Sequence, residues 1–257
     1  MRTIAFMNLK GGTGKTTSAI NTAAILAKDY GQTVLLVDAD SQANMTEFVS
    51  LSLSPACGLA EMLTGKPAFP MPTTMKDVKI IKADETLMAL DIHSAGSGEA
   101  DPMALADFLD REDIRSEYDF CLIDCPPAFN AGAMAALIAA DEVIIPLKLD
   151  AFGIRGIRNL LEQIRNMRRI NSGLTVTGVL PTMYYPSDLQ AEAETELKKA
   201  LRLTGIQVFH WIRRSAVPVD RMTFLQKPLI VSSPKSGACR DYRVFVGSLM
   251  KGGEQRV

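Results

Sequence analysis

The sequence has few of the residues that build metal centres or disulfide frameworks. Its four cysteines include no CxxC pair, which favours buried free thiols over a metal site or disulfides. They are Cys57, Cys121, Cys125 and Cys239. The only two histidines, His93 and His210, are predicted to be ordinary strand or loop residues. The chain also lacks a signal-like leader and an apolar run long enough to cross a membrane. We therefore expect a cytoplasmic protein without membrane contact.

Linkers are also missing. No Ser/Gly-rich stretch, low-complexity segment or repeat divides the 257 residues. A hydrophobic fraction of 47% suits a large core, so we predict one domain over residues 1–257.

Charge is low overall but unevenly distributed. The net charge of −1 identifies no partner. Residues 198–251, however, hold eleven Lys and Arg against two acids, a local +9 that leaves −10 for the remainder. Such a basic bias suits binding to nucleic-acid phosphates, and it equally suits a solvated surface balanced by acids elsewhere in the fold.

Apolar runs typical of buried strands alternate with helical periodicity along the chain. The predicted strands are 3–8, 33–38, 120–124, 142–149, 176–180 and 207–212. The predicted helices are 16–28, with a glycine C-cap at Gly31, then 131–140, 155–169, 189–203 and 240–250. Residues 51–102 are less regular, with a short helix at 58–63 and a possible strand pair at 78–81 and 87–92. The pattern predicts an α/β fold with a doubly wound, mostly parallel sheet and helices on both faces.

A glycine-rich loop stands between the first predicted strand and the first helix. It reads Lys10-Gly11-Gly12-Thr13-Gly14-Lys15-Thr16-Thr17. Glycines allow successive backbone N–H groups to curl around phosphate oxygens, and the helix start adds a favourable dipole. Lys15 would then reach the β- and γ-phosphates, Thr16 would ligate Mg²⁺, and Thr17 would touch the α-phosphate. We predict a nucleoside triphosphate site.

The early lysine and the missing first glycine depart from the usual phosphate loop. Leu9 occupies the position where the usual loop has its first glycine, and Lys10 directly precedes the glycine pair. This pattern resembles the deviant Walker A loop of the ParA/MinD ATPases. The resemblance implies that ATP and Mg²⁺ are cofactors, that the active form is a nucleotide-bridged homodimer, and that Lys10 reaches the partner's phosphates.

Two acidic segments follow apolar runs at the expected ends of strands. The first is Val37-Asp38-Ala39-Asp40, which resembles the family's D-x-D switch segment, and the second ends at Asp124, a Walker B candidate before a proline pair. The match implies that Asp40 positions the attacking water and that Asp38 organises the magnesium shell, while Asp124 would hold Mg²⁺ through water. The predicted metal site is Thr16, Asp38, Asp40 and Asp124, and the predicted catalytic residues are Lys10, Lys15 and Asp40.

The resemblance continues through most of the chain. Residues 143–146, with Asp150 and Gly156 after them, are similar to a later family segment. The stretch 178–184 resembles one near the adenine, which implies contacts from Pro181, Thr182 and Met183. No helix-turn-helix precedes the loop, so the chain resembles the short family form. For this form, the resemblance implies ATP-dependent, nonspecific DNA binding, a ParB-like centromere-binding partner and association with the nucleoid.

Two departures affect the expected adenine and DNA contacts. Where relatives carry Ile-Pro-Arg-Asn, this chain has residues 212–215, Ile-Arg-Arg-Ser, and it loses the proline. Ser187 and Val217 stand near positions where relatives have DNA-contacting arginines. The basic C-terminal region could replace those arginines, with the following candidates for contact with DNA: Arg213, Arg214, Arg221, Lys227, Arg240 and Arg243.

Three other functions are compatible with the same loop. A MinD-like positioning ATPase would need a terminal amphipathic helix for membrane binding, and the glycine pair at residues 252–253 argues against one. An iron–sulfur scaffold would need cluster-ligating cysteines, and the spacing here is unlike theirs. A metabolic ATP-dependent ligase remains open, because a fold does not fix a function.

Overall fold

The computed structural model describes residues 1–51, 58–93 and 100–254. Within these ranges one sheet of eight strands forms, in the spatial order β3-β4-β2-β5-β1-β6-β7-β8. The strands are β1 (Arg2–Phe6), β2 (Val34–Asp38), β3 (Met71–Pro72), β4 (Val78–Ile81), β5 (Phe120–Asp124), β6 (Glu142–Lys148), β7 (Thr175–Thr182) and β8 (Gln207–Val208). All neighbours are parallel except β3 with β4. The predicted mostly parallel sheet is confirmed.

Helices cover both faces of this sheet. In the described ranges they are α1 (Lys15–Tyr30), α2 (Asn44–Val49), α3 (Leu59–Leu63), α4 (Thr86–His93), α5 (Ala104–Asp110), α6 (Glu112–Glu117), α7 (Ala131–Ala139), α8 (Ala151–Met167), α9 (Asp188–Leu201), α10 (Ala216–Leu225), α11 (Leu229–Ser232) and α12 (Gly237–Glu254). One face is filled from α5, α7 and α8 and the other from α1 and α12. Strands β2 and β5 are buried at every residue, which explains why their sequences are apolar almost throughout. The doubly wound arrangement is confirmed.

The strand order changes direction at β1, which lies between β5 and β6. Parallel sheets open a crevice at the carboxyl ends of their strands where the order reverses. Asp38 and Asp124 are paired in register at the ends of β2 and β5. Phe6, the last residue of β1, pairs with Asp124 on the other side of β5. The glycine-rich loop and two of the predicted acidic residues therefore meet at one edge.

Helix α1 connects the glycine-rich loop to the C-terminal helices. The Ser18 hydroxyl lies 3.1 Å from the Tyr242 hydroxyl of α12. The Asn21 Oδ1 accepts a hydrogen bond from the backbone N–H of Leu229 at 2.9 Å, and its Nδ2 lies 3.3 Å from the Met222 sulfur of α10. All these side chains are buried, so α1, α10, α11 and α12 pack as one layer. The helix ends at Gly31, whose φ of 65° confirms the predicted glycine cap.

The prediction of a strand at residues 87–92 is wrong, since these residues lie in α4. Asp84 Oδ1 accepts the backbone N–H of Thr86 at 2.9 Å, a side-chain turn typical of a helix start. The antiparallel partner of β4 is instead β3, in which Met71 pairs with Ile80. Strand 207–212 is also shorter than predicted, because only Gln207–Val208 form a ladder.

Candidate functional site

The glycine-rich loop adopts a backbone that side chains with a β-carbon disfavour. Gly12 has a φ of 69° and Gly14 a φ of 83°, both in the left-handed region. Gly14 is the residue before α1, so the unpaired backbone N–H groups of the first helical turn face the loop. Together with the helix dipole, these groups make a site for an anion such as phosphate. The Lys15 side chain is buried beside them.

Two side chains hold the loop to the neighbouring strands. Thr182 Oγ1, at the end of β7, donates to the carbonyl of Thr13 at 2.8 Å. Asn8 Oδ1 accepts the backbone N–H of Lys10 at 3.0 Å, and Asn8 Nδ2 donates to the carbonyl of Pro146 at 2.7 Å. Thr182 was predicted as an adenine contact, whereas Asn8 was missed. Its only sequence signal is an amide residue at the end of the first predicted strand.

Lys10 lies at the rim of the site, where it forms an ion pair with Asp150. Lys10 Nζ lies 2.9 and 2.8 Å from the two Asp150 oxygens. Asp150 also caps α8 by accepting the backbone N–H of Gly153 at 2.8 Å. Partial burial would raise the pKa of Asp150, but the hydrogen bonds from Lys10 and Gly153 outweigh it and lower that pKa. The Lys10 and Asp150 side chains are 40% and 28% exposed, so this pair contributes about 1 kcal/mol or less.

Asp38 is a fully buried carboxylate at the end of β2. Its Oδ2 accepts both the backbone N–H and the hydroxyl of Thr46 at 2.8 Å, and its Oδ1 accepts the N–H of Asp40 at 3.2 Å. Burial nevertheless raises the pKa of Asp38 from 3.8 to about 6. The Asp40 carboxylate is half-buried and accepts the N–H of Gln42 at 3.0 Å.

Asp124 is buried beside Asp38 at the end of β5. Burial raises its pKa well above 3.8, the charge of Asp38 raises it further, and the nearby Thr16 hydroxyl and Lys15 lower it. Its Oδ1 is buried and has no hydrogen-bond partner among the described residues. A buried carboxylate oxygen without a partner is costly, and a divalent cation or its water would satisfy it.

The protein groups here fit Mg²⁺ in the way nucleotide sites usually hold it. Within the described ranges, no three His, Cys, Asp or Glu side chains converge as a metal cluster. Mg²⁺ usually keeps several waters and takes one or two protein carboxylates besides phosphate oxygens. Thr16, Asp38 and Asp124 would therefore hold it together with a bound nucleotide.

A cavity of about 190 Å³ opens beside the loop. Gly14 and Thr17 form its floor, and Thr182 and Met183 line one side. The segment 212–216, α10 and α12 close the other side. Pro181, the third predicted adenine contact, is not among the residues that line this cavity, and its carbonyl accepts the backbone N–H of Ile212 at 2.8 Å.

The six basic residues predicted to contact DNA divide into two groups. Arg213 pairs with Asp241 and Arg243 with Asp29, each at 2.7 Å, so both would have to break an ion pair to reach a phosphate. The others are exposed and have no ion pair within the described ranges: Arg214, Arg221, Lys227 and Arg240.

The three cysteines in the described ranges do not converge with other potential metal ligands. Cys121, Cys125 and Cys239 are free and buried, which confirms that prediction, and Cys57 lies outside the described residues. Among the helices of the described ranges, none combines the length and apolarity needed to cross a membrane.

Comparison with known proteins decides the family. Residues 1–176 match the model of an AAA domain family. The chain is 32% identical to the chromosome-partitioning ATPase Soj of Thermus thermophilus over 253 residues, which cover 97% of this chain and 96% of Soj. The chain belongs to the ParA/MinD-type partitioning ATPases.

Solved structures support this fold. Apo McdA of Cyanothece superposes with a TM-score of 0.84 at 23% identity, covering 97% of this chain and 99% of McdA. Cobyrinic acid a,c-diamide synthase of Mycobacterium smegmatis, solved with an ATP analogue and magnesium, gives 0.80 at 26% identity, covering 99% and 96%. This ParA/MinD-type protein is an ATPase whose cofactors are ATP and Mg²⁺. The roles given above to individual residues stay predictions.

Proposed function

We propose that this ParA/MinD-type ATPase forms one domain that works as an ATP-dependent homodimer and segregates or positions plasmid or chromosomal DNA. The observation that carries the proposal is the Lys10–Asp150 pair at the rim of the phosphate loop. Lys15 is buried beside its own loop, whereas the Lys10 side chain is 40% exposed and its ion pair with Asp150 contributes about 1 kcal/mol or less. A second subunit that presents a triphosphate can therefore take Lys10 at low cost.

In the proposed ATPase cycle, the backbone amides of the glycine-rich loop and Lys15 bind the phosphates of ATP. Asp38, Thr16 and Asp124 hold the hydrated Mg²⁺, and Asp40 orients the attacking water. Phosphoryl transfer asks the protein for positioning and charge neutralisation, which these groups provide without a nucleophilic side chain. Hydrolysis then separates the subunits.

The closed dimer would bind DNA without sequence preference. Four exposed basic residues that form no ion pair with the described part of the chain support this surface: Arg214, Arg221, Lys227 and Arg240. Each phosphate contact releases counterions, so affinity should fall steeply with salt. A ParB-like centromere-binding partner would stimulate hydrolysis, and the protein would be cytoplasmic and associated with the nucleoid when ATP is bound.

The test combines ATP hydrolysis with DNA binding. ATPase rates of the wild type are measured alone, with nonspecific duplex DNA, and with the product of the neighbouring reading frame. We expect both additions to stimulate, Lys15→Ala to abolish hydrolysis, and Lys10→Ala to weaken ATP-dependent dimerisation more than ATP affinity. DNA binding that ignores nucleotide would contradict the proposed switch, and full activity of Lys15→Ala would contradict the site.

A metabolic ATP-dependent synthetase is the second candidate. It is favoured by the similarity to cobyrinic acid a,c-diamide synthase at 26% identity. Such an enzyme would consume ATP with a small molecule and would respond to neither DNA nor a partner protein, so the same rate measurements distinguish the two.

A further inference from the structure

The wall of the cavity beside the phosphate loop is fastened to α12 by one arginine. Arg213 donates to Asp241 three times: from its backbone N–H at 2.9 Å, from Nε at 2.7 Å and from a terminal guanidinium nitrogen at 2.8 Å. Asp241 is only 3% exposed, so its charge depends on these donors. A bidentate guanidinium–carboxylate pair is rigid as well as strong.

Glycine at the start of α12 makes room for this pair. A β-carbon built on Gly237 would lie 2.5 Å from both Cδ and Nε of the Arg213 side chain, closer than atoms approach. The arginine therefore lies directly on the first turn of α12. Any larger residue at position 237 would displace it.

The same segment is attached to the end of β7. The backbone N–H of Tyr184 donates to the carbonyl of Ile212 at 3.0 Å, and the backbone N–H of Arg214 donates to the carbonyl of Tyr184 at 2.7 Å. The Arg213 guanidinium also lies 5.6 Å from the ring centre of Trp211, which stacks on Tyr184 at 4.6 Å. β7 holds one side of the segment, and on the other side Arg213 binds Asp241 and lies against Gly237.

We propose that the Arg213–Asp241 pair is a positioning device that sets the wall of the cavity and thereby the protein's affinity for the base of its nucleotide. This inference rests on the proposed placement of the base beside Gly14 and Thr17. Arg213 acts through the backbone of its segment. Although Arg213 also lines the cavity, three of its donors are directed to Asp241, so we treat it as a positioning residue.

The pair should affect base binding and spare phosphate binding. The phosphate loop is held separately, by Asn8 and Thr182. Loosening the wall would therefore lower affinity for ATP without changing affinity for inorganic triphosphate, which has no base. A general loss of stability would weaken both ligands together.

The main variant is Asp241→Asn, and its matched control is Asp29→Asn. Asp29 also pairs with an arginine of α12 at 2.7 Å, but Arg243 and Asp29 do not line the cavity. Dissociation constants for Mg²⁺–ATP and Mg²⁺–triphosphate are measured by calorimetry. The fluorescence of Trp211, the chain's one tryptophan, reports whether Arg213 has moved.

We expect Asp241→Asn to weaken ATP binding roughly tenfold, because small displacements of a binding wall are costly, and to leave triphosphate binding within about twofold. Asp29→Asn should change neither. Gly237→Ala, which displaces Arg213 but keeps both charges, should reproduce the ATP-specific loss and also serves if Asp241→Asn fails to fold. Unchanged ATP affinity, or equal loss for both ligands, would overturn the inference. Equal binding of ATP and triphosphate by the wild type would instead refute the proposed placement of the base.

Discussion

Replacing Asp38 by asparagine should make the stability of the ligand-free protein less dependent on pH, although it removes a predicted magnesium group. Burial raises the pKa of Asp38 from 3.8 to about 6, so the folded state holds this proton more tightly than the unfolded chain does. The stability that results is complete below pH 3.8 and is lost as pH rises through about 6. At 1.36 kcal/mol per pH unit, the loss is roughly 3 kcal/mol.

The assay is urea unfolding of the wild type and Asp38→Asn, without nucleotide or metal, between pH 4.5 and 7.5. This pH range should contain most of the change in the wild type's free energy of unfolding that is due to Asp38, which is roughly 3 kcal/mol in total. The free energy of unfolding of Asp38→Asn minus that of the wild type should increase with pH and level off above about 6. Asp119→Asn is the matched control, since exposed Asp119 also accepts the N–H and hydroxyl of one threonine, Thr33, at 2.8 and 2.9 Å. A difference that stays constant with pH would refute the reasoning.

Three further outcomes can be checked. Asn21→Ala should lower the free energy of unfolding by about 1–3 kcal/mol, because it leaves the buried N–H of Leu229 without its acceptor; an unchanged urea midpoint would contradict this. Asp150→Asn keeps a good helix cap but removes the ion pair with Lys10, so sedimentation should show more dimer with ATP than in the wild type, and an unchanged fraction would count against the proposed role. Asp40→Ala should retain an ATP-bound dimer, detected as a slow loss of labelled ATP on gel filtration; rapid loss would remove Asp40 from the water-positioning role.

The sequence predicted the centre of the fold better than its margins. Strand β5 was predicted with its observed bounds, Phe120–Asp124, because a strand buried on both faces is apolar throughout. The region of α4 was misassigned, since apolar residues near Leu87 fit either periodicity and the deciding hydrogen bond from Thr86 to Asp84 is a side-chain detail. Residues 207–212 were predicted as a strand, but only two of them pair in a ladder.

The residues of the candidate site also differ in how well the sequence predicts them. The loop residues could be read directly, because the backbone geometry at Gly12 and Gly14 requires glycine. The pairing of Lys10 with Asp150 and of Arg213 with Asp241 joins residues 140 and 28 positions apart, and no local pattern encodes such contacts. The loss of the family's proline at position 213 has a structural counterpart, since the backbone N–H that proline lacks is here donated to Asp241.

The buried contacts of α1 bear on how ATP could control DNA affinity. Ser18 and Asn21 attach the helix that begins at the phosphate loop to α10, α11 and α12, and two of the exposed basic candidates, Arg221 and Arg240, lie on α10 and α12. A layer packed this way should move as one body, with little local rearrangement when nucleotide binds. Nucleotide dependence would then come from avidity: dimerisation places two modest basic surfaces on one duplex, and the second binds at a high effective concentration.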